Sequence, residues 1–307
     1  MKAMVYRKYG SPEVLHIEEV EKPVPKDNEI RVKVLATTVT IGDTIMRGLK
    51  FPVPYWQGLL FRFYLGFRQP KRKILGMELA GIVESTGKDV TQYKKGDSIF
   101  GSTFGLNFGG YAEYKCFPED GILAIKPQSV TYEQAAVIPG AGMTAISCLK
   151  KGNIQKGQKV LIYGASGAVG TYSVQLAKYF GAKVTGVCST ANLELIKSLG
   201  ADEVIDYTRE DFTENDEKYD VIFDAVGKLT FSKGKKSLKR NGRYLNVFTS
   251  SGNKENKEDL ISITKLVEAG QIKPVIDRTY PFAQIPEAHS YVEKGHKKGN
   301  VAITLEN

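Results

Sequence analysis

The chain is poor in the residues that build metal centres and disulfide frameworks. Its 307 residues include three cysteines and three histidines. Cys116, Cys148 and Cys188 lie far apart, with neither the paired spacing of a zinc site nor an even set for disulfides. They read as reduced thiols in a packed interior. With no apolar leader at the start, this points to the cytoplasm. No stretch approaches the run of about 20 apolar residues that a membrane helix needs, so no membrane partner is expected. There is no internal repeat and no low-complexity segment.

Glycine, at 31 residues, and positive charge, at a net +9, are abundant. The charge gathers at residues 68–73, 233–240 and 294–298. Such clusters form a solvated surface or attract anions, either a phosphate-bearing cofactor or nucleic acid. No zinc finger or RNA-binding sheet signature accompanies them, so a nucleic-acid partner is not expected.

The alternation Ile30-Arg31-Val32-Lys33-Val34 predicts a half-buried strand. Residues 79–83, 111–114 and 122–125 predict further short strands, punctuated by Gly and Pro. Residues 1–125 thus read as a β-rich, barrel-like domain. Residues 126–271 alternate strand and helix. Strands are expected at 159–163, 183–188, 204–205, 219–225 and 243–248, and helices at 169–180, 193–199 and 257–269. This order predicts a parallel sheet with helices on both faces. Residues 272–307 return to short strands, such as 301–305. Residues 48–73 hold Phe51, Tyr55, Trp56, Phe61, Phe63, Tyr64 and Phe67. They read either as a short helix packed on the core or as an apolar lid over a cleft for a small apolar substrate.

The expected strand at 159–163 runs into Gly164-Ala165-Ser166-Gly167-Ala168-Val169-Gly170 and then a helix. The fingerprint is A-x-G-x-x-G, relaxed at its first position. Gly167 lets the backbone approach a pyrophosphate, and Gly170 lets the helix pack closely on the strand. The helix N-terminus offers unpaired N–H groups and partial positive charge. The strand–loop–helix–strand context is what makes this pattern informative. The next strand ends at Ser189, where an acidic residue would favour NAD. A small polar residue there tolerates a 2′-phosphate, so NADPH is expected, with NADH as the alternative.

These residues carry a family resemblance over nearly the whole chain. It rests on Gly76-Met77-Glu78-Leu79-Ala80-Gly81, Gly96-Asp97, Gly109-Gly110-Tyr111-Ala112-Glu113-Tyr114, Gly142-Met143-Thr144-Ala145, the phosphate loop, Leu199-Gly200-Ala201-Asp202, Asp224-Ala225-Val226-Gly227 and the segment from Gly295 to Val301. The chain resembles the zinc-free quinone oxidoreductase and enoyl reductase branch of the medium-chain dehydrogenase/reductase superfamily. The resemblance implies an α/β fold: a Rossmann doubly wound parallel sheet (126–271) inserted in a GroES-like β-barrel domain (1–125 and 272–307), with the active site in the cleft between them. Zinc-dependent relatives place Cys where this chain has Thr40 and His where it has Met77. Neither replacement is a normal zinc ligand, and the four-cysteine structural zinc cluster is missing. No metal is therefore expected.

Without a Lewis acid, the resemblance implies hydride delivery to a quinone or an α,β-unsaturated carbonyl. The cofactor carries the hydride and the protein orients it. Thr144 is implied at the nicotinamide side. Ser166, Gly167, Ala168 and Val169 are implied at the pyrophosphate, and Ser189 and Tyr207 at the 2′-phosphate. Val226 is implied at the ribose or nicotinamide, and Asn300 near the cofactor. Thr40 stands where many relatives have an Asn that helps hold the substrate carbonyl, and can donate one hydrogen bond. Asp43 reads as a cap of the following helix. Tyr55 and Tyr64 are candidate acids, with water as an alternative proton source.

Two features depart from the family. Relatives often place Lys or Arg just after the second strand, to pair with the 2′-phosphate. This chain has Ala191 and Asn192, with Arg209 as a candidate substitute. The strand that often joins two subunits edge to edge is also replaced by a polar link at residues 249–258. A monomer or an atypical dimer is expected. Two other readings predict different observations. An alcohol or aldehyde dehydrogenase would hold zinc. A nucleotide- or nucleic-acid-binding protein without catalysis would bind cofactor without turnover.

Overall fold

A computed structural model of the chain describes residues 1–51, 62–63, 65–250 and 255–305. Two compact units appear, Met1–Pro139 with Ile276–Asn307, and Gly140–Val275. The first opens with the antiparallel pair β1 (Lys2–Tyr6) and β2 (Leu15–Glu19). It continues through β3 (Glu29–Thr38), α1 (Ile41–Gly48), β4 (Glu78–Thr86), β5 (Ser98–Ser102), β6 (Tyr114–Pro118), β7 (Leu123–Ile125) and α2 (Tyr132–Ala136). The middle of the chain runs α3 (Pro139–Gly152), β8 (Lys159–Tyr163), α4 (Ala168–Tyr179), β9 (Lys183–Cys188), α5 (Leu193–Ser198), β10 (Glu203–Asp206), β11 (Tyr219–Asp224), α6 (Phe231–Lys235), β12 (Leu238–Asn246), α7 (Val247–Ser250) and α8 (Lys257–Glu268). The chain then returns to the first unit with β13 (Ile276–Pro281), α9 (Ile285–Glu293) and β14 (Asn300–Thr304).

In the first unit the strands join in the order β13-β14-β3-β4-β5-β7, and β6 also pairs with β3. Along β3, Ile30, Val32 and Val34 are buried while Arg31, Lys33 and Leu35 are half-buried. The alternation read from the sequence is thus the pleat of a strand with one covered face. Leu79, Val83, Ile99 and Phe117 complete this core from neighbouring strands. Helix α2 packs on β3 and β4, which places residues 126–139 with this unit rather than with the parallel sheet.

The second unit holds five strands in the order β10-β9-β8-β11-β12, all parallel. Numbered from β8, this is a 3-2-1-4-5 order, so the direction of winding reverses between β8 and β11. Val160, Leu161 and Ile162 of β8 are fully buried, as expected for a central strand covered on both faces. Each such side chain contributes roughly 1.5–3 kcal/mol on burial. The strand expected at 243–248 differs in its end. The backbone turns into α7 after Asn246, whose Oδ1 accepts from the Phe248 amide while its own amide donates to Ser250 Oγ. Of the strand expected at 111–114, only Tyr114 lies in β6. Of the lid segment, Tyr55, Trp56, Phe61 and Tyr64 lie outside the described residues, while Phe63 and Phe67 are exposed.

Candidate coenzyme site

Strand β8 ends at Tyr163 and the chain turns at Gly164, whose φ of 76° lies in the left-handed region. The Gly164 and Ala165 amides both donate to the Val187 carbonyl of β9, and the Gly167 amide donates back to the Gly164 carbonyl. The loop is therefore anchored by its own backbone before α4 begins. The two later glycines answer different demands. A Cβ on Gly170 would lie 2.2 Å from the Gly164 carbonyl oxygen, so the helix cannot pack there with any side chain. A Cβ on Gly167 would meet nothing closer than that same oxygen at 3.5 Å, an ordinary contact. Gly167 is not required by the protein's own packing. It is the N-cap of α4, and no side chain caps the helix. The first turn of α4 thus offers uncapped amides at a half-buried surface, a set of donors for a pyrophosphate.

Three other expected contacts lie at the same C-terminal edge of the sheet. Ser189 directly follows β9, Tyr207 directly follows β10 and Val226 is the second residue after β11. The Tyr207 amide donates to the Cys188 carbonyl, which brings Ser189 and Tyr207 to neighbouring strand ends. Val226 packs against the loop, since a Cβ on Gly164 would lie 2.6 Å from its Cγ1. Asp224 fixes this turn by accepting from the amides of Val226, Gly227 and Leu229 and from Asn246 Nδ2. Thr144 lies on α3, with its hydroxyl donated to the Gly140 carbonyl.

Two residues here were missed as participants. Asp206, at the end of β10, is 5% exposed. It accepts from the Thr190 and Thr208 hydroxyls and the Thr208 amide. Hydrogen bonds from Thr190 and Thr208 hold its carboxyl below the usual range. Arg209, expected as a substitute cation, instead has Nε 3.6 Å from Asp206 Oδ2. In the sequence, Asn192 stands only as a lost basic position. Its Nδ2 donates to both Ser166 Oγ and Ser189 Oγ, each at 3.1 Å. No sequence signal distinguishes it, because the contact depends on how β8 and β9 end side by side.

The first unit holds the positions that correspond to zinc ligands in zinc-dependent relatives. Thr40 is the N-cap of α1 and forms a reciprocal capping box with Asp43. The Asp43 amide donates to Thr40 Oγ1, and Asp43 Oδ2 accepts from both the Thr40 amide and hydroxyl. The hydroxyl expected to face a substrate is therefore engaged by Asp43 at 2.6 Å, and lies 3.6 Å from Met77 Sδ. Asp43 Oδ1 accepts from the Gly76 amide, so one carboxylate ties α1 to the segment bearing Met77. Burial pushes Asp43 up to about 6, against these hydrogen bonds. Asn300, 6% exposed, starts β14. Nearby in sequence, Lys297 donates to the Gly299 carbonyl at 2.5 Å, and burial pushes its ammonium down to about 8 while Glu78 and Asp277 oppose the shift. Among the described residues, no group of three His, Cys, Asp or Glu side chains could hold a metal ion. The three cysteines are free. His289 is fully buried beside Tyr111 Oη, and burial depresses it to about 3.

Comparison with known proteins gives two family matches. "Alcohol dehydrogenase GroES-like domain" matches residues 26–127 and "Zinc-binding dehydrogenase" matches residues 168–284. A 2-methylene-furan-3-one reductase of Solanum lycopersicum is 35% identical, over 99% of this chain and 79% of the relative. A chloroplastic NADPH-dependent alkenal/one oxidoreductase of Arabidopsis thaliana is 33% identical, over 99% and 79%. Among solved structures, the quinone oxidoreductase from Coxiella burnetii superposes with a TM-score of 0.87 at 26% identity, covering 100% of this chain and 99% of that one.

Proposed function

The chain belongs to the medium-chain dehydrogenase/reductase superfamily, in its quinone oxidoreductase and enoyl reductase branch, and we propose that it reduces a quinone or an α,β-unsaturated carbonyl with NADPH and without zinc. The observation that carries this reading is the phosphate loop. Gly170 is demanded by packing and Gly167 is not, which leaves close approach of a ligand as the reason for Gly167. The dinucleotide, when bound, supplies the hydride. Ser166, Gly167, Ala168 and Val169 hold the pyrophosphate at the start of α4. Ser189 and Tyr207 hold the 2′-phosphate end, and Thr144 and Val226 border the nicotinamide half.

The preference for NADPH rests on Ser189 standing where an acidic residue would bind a ribose hydroxyl, and on the NADPH-dependent relative. Zinc independence rests on donor chemistry. Thr40 and Met77 offer a hydroxyl already engaged by Asp43 and a thioether, where the zinc-dependent pattern has a thiolate and an imidazole. Alcohol oxidation then lacks the Lewis acid that would polarise the oxygen. Hydride addition to the β-carbon of an enone needs one proton to finish. With the Thr40 hydrogen held by Asp43, that proton comes from Tyr55, Tyr64 or water. The free thiols favour a reducing compartment, and we place the protein in the cytoplasm.

Fluorescence titration with NADPH and NADH, followed by turnover on a panel of quinones and enones, tests the reading. The expected result is tighter binding of NADPH and its oxidation by at least one acceptor. Tighter NADH binding reverses the coenzyme preference. Binding without oxidation by any acceptor leaves a nucleotide-binding protein without catalysis.

A further inference from the structure

Asn192 occupies an unusual place. It is the N-cap residue of α5, a position where an Asn side chain ordinarily accepts from the helix's own amides, yet its side chain makes no cap bond. It is 7% exposed and reaches back to the coenzyme edge of the sheet. Its two Nδ2 hydrogens are used completely, one on Ser166 Oγ and one on Ser189 Oγ. Its Oδ1 is buried and accepts from none of the described residues. These two serines stand at the ends of β8 and β9, at the two phosphate positions of the proposed coenzyme.

We propose that Asn192 is a positioning residue that sets the direction of two phosphate-binding hydroxyls at once, and thereby the preference for NADPH over NADH. A serine hydroxyl has one hydrogen to give and two lone pairs. Asn192 occupies a lone pair on each oxygen with a donor, so each hydroxyl hydrogen must turn elsewhere. Neither serine hydroxyl donates to any other described residue. The Ser166 hydrogen is left for the pyrophosphate beside the start of α4, and the Ser189 hydrogen for the 2′-phosphate. The missing Lys or Arg at Ala191 and Asn192 is thus replaced by an oriented neutral donor. Asp206 lies next to this position, and its charge is met by Thr190, Thr208 and Arg209.

The inference rests on the proposed reading of a dinucleotide reductase, and its test separates the two. Dissociation constants for NADPH and NADH are measured for the wild type, Ser166→Ala, Ser189→Ala, Asn192→Ala and Asn192→Asp, with apo melting curves to confirm folding. Ser166→Ala weakens both coenzymes equally. Ser189→Ala weakens NADPH alone. Asn192→Ala weakens NADPH by about tenfold and NADH by about threefold, as expected when donors to charged groups lose their aim. The double variant Ser189→Ala/Asn192→Ala then loses less on NADPH than the product of the two single losses, because both remove the same contact. Asn192→Asp, which keeps the shape but offers acceptors to the serines, weakens NADPH most. A role confined to packing would lower the melting temperature and leave the ratio of the two constants unchanged. That unchanged ratio, in a wild type that binds NADPH, overturns the inference alone. A wild type that binds neither coenzyme overturns the underlying reading.

Discussion

At the scale of single residues, the two glycines of the phosphate loop make opposite predictions. Gly170→Ala places a methyl group 2.2 Å from a backbone oxygen. It should cost more than about 3 kcal/mol in urea denaturation or prevent folding. Gly167→Ala places a methyl group at ordinary contact distance. It should fold with stability within about 1 kcal/mol of wild type, and lose most of its NADPH affinity. The sequence identifies both glycines but cannot separate their reasons, because only the backbone path shows what a Cβ would meet. Thr40 and Met77 were legible as replacements for ligands. The cap by Asp43 was legible too, being a local i,i+3 pattern, but its bond from the Gly76 amide was not, since that comes from a distant segment.

Another residue gives a pH signature. His289 titrates at about 3 in the folded chain and near 6.5 when exposed. Between these values the unfolded chain binds the extra proton, so the contribution of His289 is full above pH 6.5 and is lost as pH falls toward 3. Asp43 acts in the opposite sense. Its folded value of about 6 is above the ordinary 3.8, so its contribution is full at low pH and is lost as pH rises through 6. Comparing urea midpoints of His289→Phe and wild type from pH 7 to pH 4 isolates the first effect. The wild type should lose more stability than the variant over this range. Parallel curves would show that His289 is not buried as a neutral ring.

At the scale of elements, period and punctuation made the parallel sheet readable. Strands β8, β9 and β11 and helices α4, α5 and α8 lie within a residue or two of their expected bounds. The misplaced ends have local causes. Residues 247–250 form a helical turn because Asn246 offers both a side-chain acceptor and an amide donor to the residues ahead. Helix α2 belongs with the first unit because of the strands it covers, which no local pattern encodes. The capping box on α1 is open to test. Thr40→Ala removes one half of it and should cost about 1–2 kcal/mol by chemical denaturation, while Thr40→Ser should recover most of that. Equal stability of both variants would deny the cap its role.

At the scale of the whole molecule, a discontinuous first unit and a continuous second were expected from ordered motifs spread along the chain, and the family matches fall on both. Assembly follows from the sheet edge. Among the described residues, β12 pairs with β11 alone. We expect a monomer, or a dimer in which the parallel sheet does not continue across subunits. Light scattering that gives a dimer mass, together with a crystal structure joining β12 edges, would refute this. The central claim, zinc-independent reduction by NADPH, is tested most directly by the initial rate of NADPH oxidation on the best acceptor of the panel, before and after exhaustive chelation. The account predicts an unchanged rate and no gain from added zinc. Activity lost on chelation and restored by zinc would contradict it.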